Sequence, residues 1–454
     1  MKLYCDNNNF KLYEGKMEDV LPTLPENSVD CIITDPPYEL NFMNKGWDNS
    51  GIAFQKSTWE HCLRVLKPGG YLLAFGGSRT FHRIACAIED AGFEIRDTLF
   101  WLYGSGFPKG QNIGLAIDKK MGVDNRTGNI AKGVGNNNTN SMKNGLGGSQ
   151  ELKQVYEERK AQNQWAGWNT NLKPAYEPII MARKPFKGSL VDNILEYGVG
   201  GINIDECRVE NTNADAYDLE KRQISKATGS DNDGHFLDLL HNKDLKHGVI
   251  DNGRYPANIL HDGSQEVMDI FPDTKSTYNE NGKHQNIINR ENKDILKYGY
   301  KERIDTNSYN DSGNASRYFY CAKASKKDRD EGLDAFEDKK FTSALNTKNE
   351  SGERLDGGAT PIRKNIHPTV KPMELMQYLI RLVAPKNAII LDPFNGSGST
   401  GKAAMFENRE RDANYYYIGI EMTPEYLPIS QARIDYALNK YEYDKMKDKK
   451  KLGN

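Results

Sequence analysis

Short apolar runs punctuate the first hundred residues, each followed by a polar or glycine break and then by apolar positions at helical spacing. Residues 10–14 alternate in the manner of a strand and stop at Gly15, and residues 17–24 read as a short helix closed by Pro25. The run 29–34 predicts a buried strand. Residues 54–66 predict a helix stopped at Lys67, Pro68, Gly69 and Gly70, and 71–75 a second buried strand. An amphipathic helix over 80–91, ended by Gly92, leads to a strand over 93–101. Short strands alternating with helices predict parallel βαβ units.

That pattern fades and then returns. Residues 127–150 are Gly, Asn, Ser and Thr with almost no large apolar side chains, which predicts a mobile loop. Residues 177–182 predict one more sheet strand. From about 200 to 365 the pattern is mixed and polar, with apolar islands near 255–260 and 317–321, and 343–365 reads as a flexible segment. The α/β signal resumes with a helix over 373–383, a strand over 388–391, a helix from 400, a strand over 415–421 ending in Glu421, and a helix over 424–438. Residues 445–451 read as a solvated lysine-rich tail. The expected fold class is α/β: a doubly wound, mostly parallel Rossmann-like sheet with a large inserted α+β region.

Bulk properties narrow the classes. At 454 residues, with 37% hydrophobic residues and a mean hydropathy of -0.75, the chain can hold a large domain plus considerable polar loop. No apolar run approaches the roughly 18 residues of a membrane span, and residues 1–7 lack the apolar core of a secretion signal. Six scattered cysteines with no Cys-x-x-Cys pair point to neither a zinc site nor a disulfide framework, so no metal is expected and a reducing cytoplasm fits. The net charge of -2 gives no global pull toward nucleic acid. Residues 101–150 nevertheless carry six bases against two acids. Alone that is a solvated loop; beside a nucleobase pocket it becomes a phosphate contact.

Two segments carry candidate chemistry. Asp35, Pro36, Pro37 and Tyr38 directly follow the buried strand 29–34. An exocyclic amine of adenine or cytosine is a poor nucleophile because its lone pair is delocalised into the ring. A carboxylate at Asp35 takes one N–H and the Pro36 carbonyl the other, drawing the nitrogen toward tetrahedral geometry. The prolines fix the backbone that presents these acceptors, and Tyr38 stacks on the base, which must leave the duplex. A surface turn with an N-capping Asp is the competing reading. Downstream, Asp392, Pro393, Phe394, Gly396, Ser397, Gly398 and Thr400 form a strand-to-helix glycine turn. Such a turn serves packing alone in many α/β folds. With Glu421 ending the next strand as a ribose acceptor, and no Gly-Lys-Ser/Thr for phosphates, it suits an adenosine ligand.

The order of these motifs, with His367, Pro368, Thr369, Val370, Lys371 and Pro372 between them, resembles the beta-class DNA amino-methyltransferases of bacteria and phages. The resemblance covers residues 10–110 and 365–437 well, and runs more thinly through 173–178, 202–205 and 316–332. It implies S-adenosylmethionine as cofactor, held by Phe394, Gly396, Gly398 and Glu421, with Thr369 and Lys371 near its methionine end. It also implies double-stranded DNA as substrate, methylated most simply at adenine N6 since Asp heads the tetrapeptide; cytosine N4 is the alternative. RNA or protein methylation and an idle DNA-binding homologue are more distant rivals. Phe107 is either a second face against the flipped base or core packing, and His367 could equally pack at a helix start. Relatives carry an acid where this chain has Lys16, with Glu18 and Asp19 nearby, which leaves one adenine contact unassigned.

The expected organisation is thus a catalytic part over 1–115, a flexible basic insert over 116–170, and a returning sheet strand within 171–200. A target-recognition domain over 201–365, a cofactor-binding part over 366–440 and a basic tail over 441–454 complete it. A cognate restriction endonuclease and a monomer or homodimer are the expected partners.

Overall fold

In a computed structural model of the protein, the residues described are 1–40, 50–106, 110–123, 161–209, 254–275, 312–322, 327–340 and 362–452. They fall into two compact units, Met1–Gly104 with Tyr176–Asn454, and Ser105–Ala175.

The strands of the larger unit are β1 (Lys2–Asp6), β2 (Phe10–Glu14), β3 (Val29–Thr34), β4 (Leu66–Phe75), β5 (Glu94–Leu102), β6 (Tyr176–Arg183) and β7 (Ile259–His261). They continue with β8 (Asp273–Lys275), β9 (Ser312–Asn314), β10 (Tyr320–Cys321), β11 (Lys339–Lys340), β12 (Ile362–Arg363), β13 (Ile389–Asp392) and β14 (Tyr416–Glu421). One 10-stranded sheet has the order β1-β2-β14-β13-β3-β4-β6-β5-β7-β10, while β8 pairs with β9 and β11 with β12. Neighbours from β2 through β4 are parallel. Among the remaining pairs, β6 runs antiparallel to both β4 and β5.

Alternation along each strand explains the layers. Cys31 and Ile33 of β3 enter one core with the helix Met373–Val383, and Val29 and Ile32 enter the other with the helix Lys56–Val65. The central strands β3, β4 and β13 are buried on both faces, which is why they read as near-continuous apolar runs. From β3 the chain winds outward through β4; from β13 it winds the other way through β14. The border between β13 and β3 is therefore the switch point of a doubly wound sheet.

Several expectations need correction. Residues 66–70 do not simply stop a helix; they open β4, and the register against β3 shifts between Val29 and Cys31 to absorb them. The edge strand β1 was not read from the sequence at all. The last helix does not end at Leu438: it runs Leu427–Leu452 across a non-helical residue, Asn439, so the tail begins as helix. The described residues within 201–365 cluster with the main sheet, where β7 and β10 extend one edge. Most of that range, with 127–150, most of 343–365 and Phe107, lies outside the described residues.

The smaller unit contains the helix Ile113–Lys120, capped by the Asn112 side chain, which accepts the Leu115 N–H. Asp118 on that helix is buried and accepts from the Gln162 N–H and the Asn163 amide. This order extends into the stretch 116–170 expected to be a flexible insert.

Candidate active site

Two strands far apart in sequence lie side by side. In the β3–β13 pair Cys31 faces Ile390 and Ile32 faces Leu391, and side chains fasten both ends. Asp30 accepts the Ile389 N–H at 2.7 Å and pairs with Lys67 at 2.6 Å. At the carboxyl ends the Thr34 hydroxyl donates to Asp392 Oδ1 at 2.6 Å. The Thr400 hydroxyl donates to Asp392 Oδ2 at 2.6 Å, and the Phe394 N–H to Oδ1 at 3.1 Å. Burial pushes Asp392 up to about 6, with these hydrogen bonds opposing. The Asp-Pro-Pro-Tyr segment and the glycine turn thus leave adjacent strands into one crevice.

On the Asp35 side, four polar side chains meet. Lys371 Nζ lies 2.9 Å from Asp35 Oδ2, 3.1 Å from Glu177 Oε2 and 3.0 Å from the Tyr38 hydroxyl. Tyr38 donates to Asp35 Oδ1 at 2.8 Å, and its backbone carbonyl accepts from Thr80 at 2.8 Å. Lys371 also sits over the Tyr38 and Phe75 rings, 5.2 and 4.8 Å from their centroids. Burial alone would push this lysine down, but Asp35 and Glu177 outweigh it and hold the ammonium well above the usual lysine range. Burial, then Asp35 and Glu177, push the Tyr38 phenol well above its usual range, so it stays a neutral donor.

Glu177 arrives by topology. Because β6 runs against its neighbours, its first residues lie at the carboxyl ends of the parallel strands, and Pro178 O accepts the Gly76 N–H just beyond β4.

On the glycine side, Gly396 and Gly398 adopt φ of +51° and +74°, a left-handed backbone that favours glycine. A Cβ on Gly396 would stand 2.8 Å from His367 Nε2, and one on Gly398 2.4 Å from Ser430 Oγ. The His367 ring packs edge-on against Tyr426 at 4.7 Å. Its Nδ1–H is donated to the Thr369 carbonyl, and burial pushes it down to about 4. Behind the turn, the buried Arg433 donates to Ser397 O at 2.6 Å and Ser397 Oγ at 2.9 Å.

The acceptors present fit an adenosine ligand. Glu421 takes the Gly396 N–H on Oε2 and the Thr423 N–H on Oε1, each at 2.7 Å. The Thr423 hydroxyl and the Met422 N–H also act on this carboxylate, which at the end of β14 is an acceptor of the kind a ribose hydroxyl requires. Beside it, Glu18 Oε2 is buried without a hydrogen-bond partner. Its helix, Met17–Val20, follows Gly15, whose N–H donates to Glu421 O at 2.9 Å. A buried acceptor left unsatisfied costs about 1–3 kcal/mol, and an N–H or O–H of a ligand relieves it.

The structure brings together Asp35, Tyr38 and Lys371, and separately Gly396 with Glu421. It redistributes some roles. Lys371, expected near the cofactor's methionine end, has its ammonium on the Asp35 carboxylate. Asp392, Ser397 and Thr400 spend their side chains on scaffold contacts, Pro393 is buried, and Thr369 is exposed with its carbonyl held by His367. Pro36, Pro37 and Phe394 line the two strand exits. Sequence reading missed Glu177, Arg433 and the open acceptor on Glu18. An acid inside an otherwise apolar strand was the available signal for the first of these.

Comparison with known proteins follows the same lines. The family model for N6/N4 amino-methyltransferases, described as DNA methylase, matches residues 29–432. Type II methyltransferase M.HindIII of Haemophilus influenzae is 29% identical over 243 residues, 44% of this chain and 64% of that protein. M.HpaI of Haemophilus parainfluenzae is 38% identical over 96 residues, 20% of this chain and 30% of that protein. These alignments span less than two thirds of either relative. Among solved structures, the M1.HpyAVI–SAM complex aligns at 13% identity and a TM-score of 0.34, over 94% of this chain and 99% of that one. PvuII DNA methyltransferase, cytosine-N4-specific, aligns at 13% and 0.40, over 95% and 93%. The family match takes in both halves of the crevice and most of the chain, and the protein therefore belongs to the N6/N4 DNA methylase family, whose cofactor is S-adenosylmethionine.

Proposed function

We propose that this protein methylates DNA at an exocyclic amine, N6 of adenine, in a base turned out of the double helix. The observation that carries the reading is the placement of Asp35 and the Gly396–Gly398 turn at the ends of adjacent parallel strands. In this reading Glu421 receives the ribose of S-adenosylmethionine, and Glu18 Oε2 supplies the adenine contact that the sequence left unassigned. The bound cofactor supplies an activated methyl group on a sulfonium.

The remaining work falls to the chain. Asp35 and the Pro36 carbonyl accept the two N–H groups of the amine, which localises its lone pair. Tyr38, held by Thr80 and Lys371, covers the base. The acid at the head of the tetrapeptide supports adenine over cytosine. Recognition of the DNA sequence is assigned to residues 201–365, and an endonuclease reading the same sequence is the expected partner.

The test is transfer of labelled methyl groups to unmethylated genomic DNA, followed by nucleoside mass analysis. N6-methyladenine is expected; N4-methylcytosine overturns the choice of base. Asp35→Ala should abolish transfer while leaving DNA affinity intact, and unchanged transfer removes Asp35 from the chemistry.

A further inference from the structure

Lys371 presents a difficulty for any reaction at Asp35. Its ammonium occupies Asp35 Oδ2 at 2.9 Å, and the Tyr38 hydroxyl occupies Oδ1 at 2.8 Å. A buried lysine paired only with Asp35 would resist an incoming amine, because displacing it leaves an uncompensated charge in a poorly solvated place. The structure holds a second carboxylate against the same ammonium, Glu177 Oε2 at 3.1 Å. Lys371 is 7% exposed and packed between the Tyr38 and Phe75 rings, so water offers little compensation.

We propose that Glu177 is a positioning residue: it retains Lys371 when the target amine takes Asp35 Oδ2. The step is an exchange of hydrogen bonds with no bond made or broken. The amine N–H replaces the ammonium N–H on Oδ2, and Lys371 keeps Glu177 and the Tyr38 oxygen as acceptors. Two carboxylates and one ammonium also leave the cluster one negative charge in excess. That excess favours the positive charge the amine acquires as its nitrogen gains a methyl group. The strand direction of β6 is what makes this arrangement available, since it delivers Glu177 to the same end of the sheet as Asp35.

This inference rests on the reading that Asp35 receives the amine, and holds for adenine and cytosine alike. It separates from a merely structural salt bridge through a second-site substitution. Glu177→Gln leaves Lys371 paired with Asp35, so melting should stay near wild type. Single-turnover methyl transfer should fall roughly a hundred- to a thousandfold, the range for loss of one preorganised polar group from such a site, with DNA and cofactor affinities unchanged. Adding Lys371→Met to Glu177→Gln frees Asp35 and should recover transfer severalfold. A structural bridge predicts a further loss instead, and that result overturns the proposal, as does wild-type transfer by Glu177→Gln.

A ligand-free measurement runs beside it. Lys371→Met alone sets two carboxylates together without their cation and should melt below wild type, and adding Glu177→Gln should raise the melting point again. No recovery refutes the shared ammonium. If wild-type protein places no label in DNA, the proposed function fails, while the melting series still reports on Glu177.

Discussion

Asp392→Asn isolates the group that ties the two halves of the site. Burial lifts the Asp392 carboxyl to about 6 in the folded protein, against about 3.9 in an unfolded chain. A raised acid binds its proton more tightly when folded. Its stabilising contribution is therefore complete below about pH 4 and is lost as pH rises through about 6. Two units correspond to about 3 kcal/mol in all, and the part falling between pH 5 and 7 is about 1.3 kcal/mol. Asparagine cannot ionise, yet it keeps an acceptor for one threonine hydroxyl and offers an N–H to the other, which can rotate to accept. Urea unfolding followed by tryptophan fluorescence should show the variant gaining about 1 kcal/mol on wild type from pH 5 to 7. Asp392→Ala strands the Thr34 and Thr400 hydroxyls and the Phe394 N–H. At about 1–3 kcal/mol each, it should be far less stable at both pH values. A wild-type-to-Asn difference that stays flat with pH, or an Ala variant matching the Asn one, would refute the reasoning.

Three other substitutions probe the scaffold. Gly398→Ala places a Cβ 2.4 Å from Ser430 Oγ on a backbone with φ of +74°; a loss of about 1–3 kcal/mol and weaker S-adenosylmethionine binding by calorimetry are expected, and wild-type affinity would contradict the assigned turn. Arg433→Met removes the donor that holds Ser397 O at 2.6 Å and Ser397 Oγ at 2.9 Å; cofactor affinity should fall about tenfold or more, since each charged hydrogen bond is worth about 1.5–3 kcal/mol, with DNA affinity unaffected. Glu331→Gln removes the negative charge that faces the fully buried Lys402 ammonium at 2.9 Å. Burial and Arg433 already push that lysine down to about 8, and a melting experiment should register a cost of about 3–5 kcal/mol.

The strands that build the crevice were legible because both faces of them are buried. Val29–Thr34 and Ile389–Asp392 are apolar enough to stand out, and each is followed by residues whose chemistry is specific. What escaped was set by neighbours rather than by pattern. The strands β7 and β10 have three and two residues, too short for any periodicity to register. Lys67 looked like part of a helix stop, yet its ammonium pairs with Asp30 inside the sheet. Lys371 and Glu177 are 194 positions apart by their numbers, and only the antiparallel run of β6 reveals that they meet. Ser397 and Thr400 belong to the glycine motif as letters, but their hydroxyls face Arg433 and Asp392.

The seating of β13 against β3 has a consequence for synthesis. A ribosome will have made most of the chain, Asp35 included, before residues 389–421 emerge. Until then the central strand β3 lacks one of its two neighbours, and the Asp30 carboxylate waits without the Ile389 N–H that it accepts. The sheet can therefore close only after both stretches exist, and a chain broken off before residue 389 exposes an unpaired strand edge where the two halves should join.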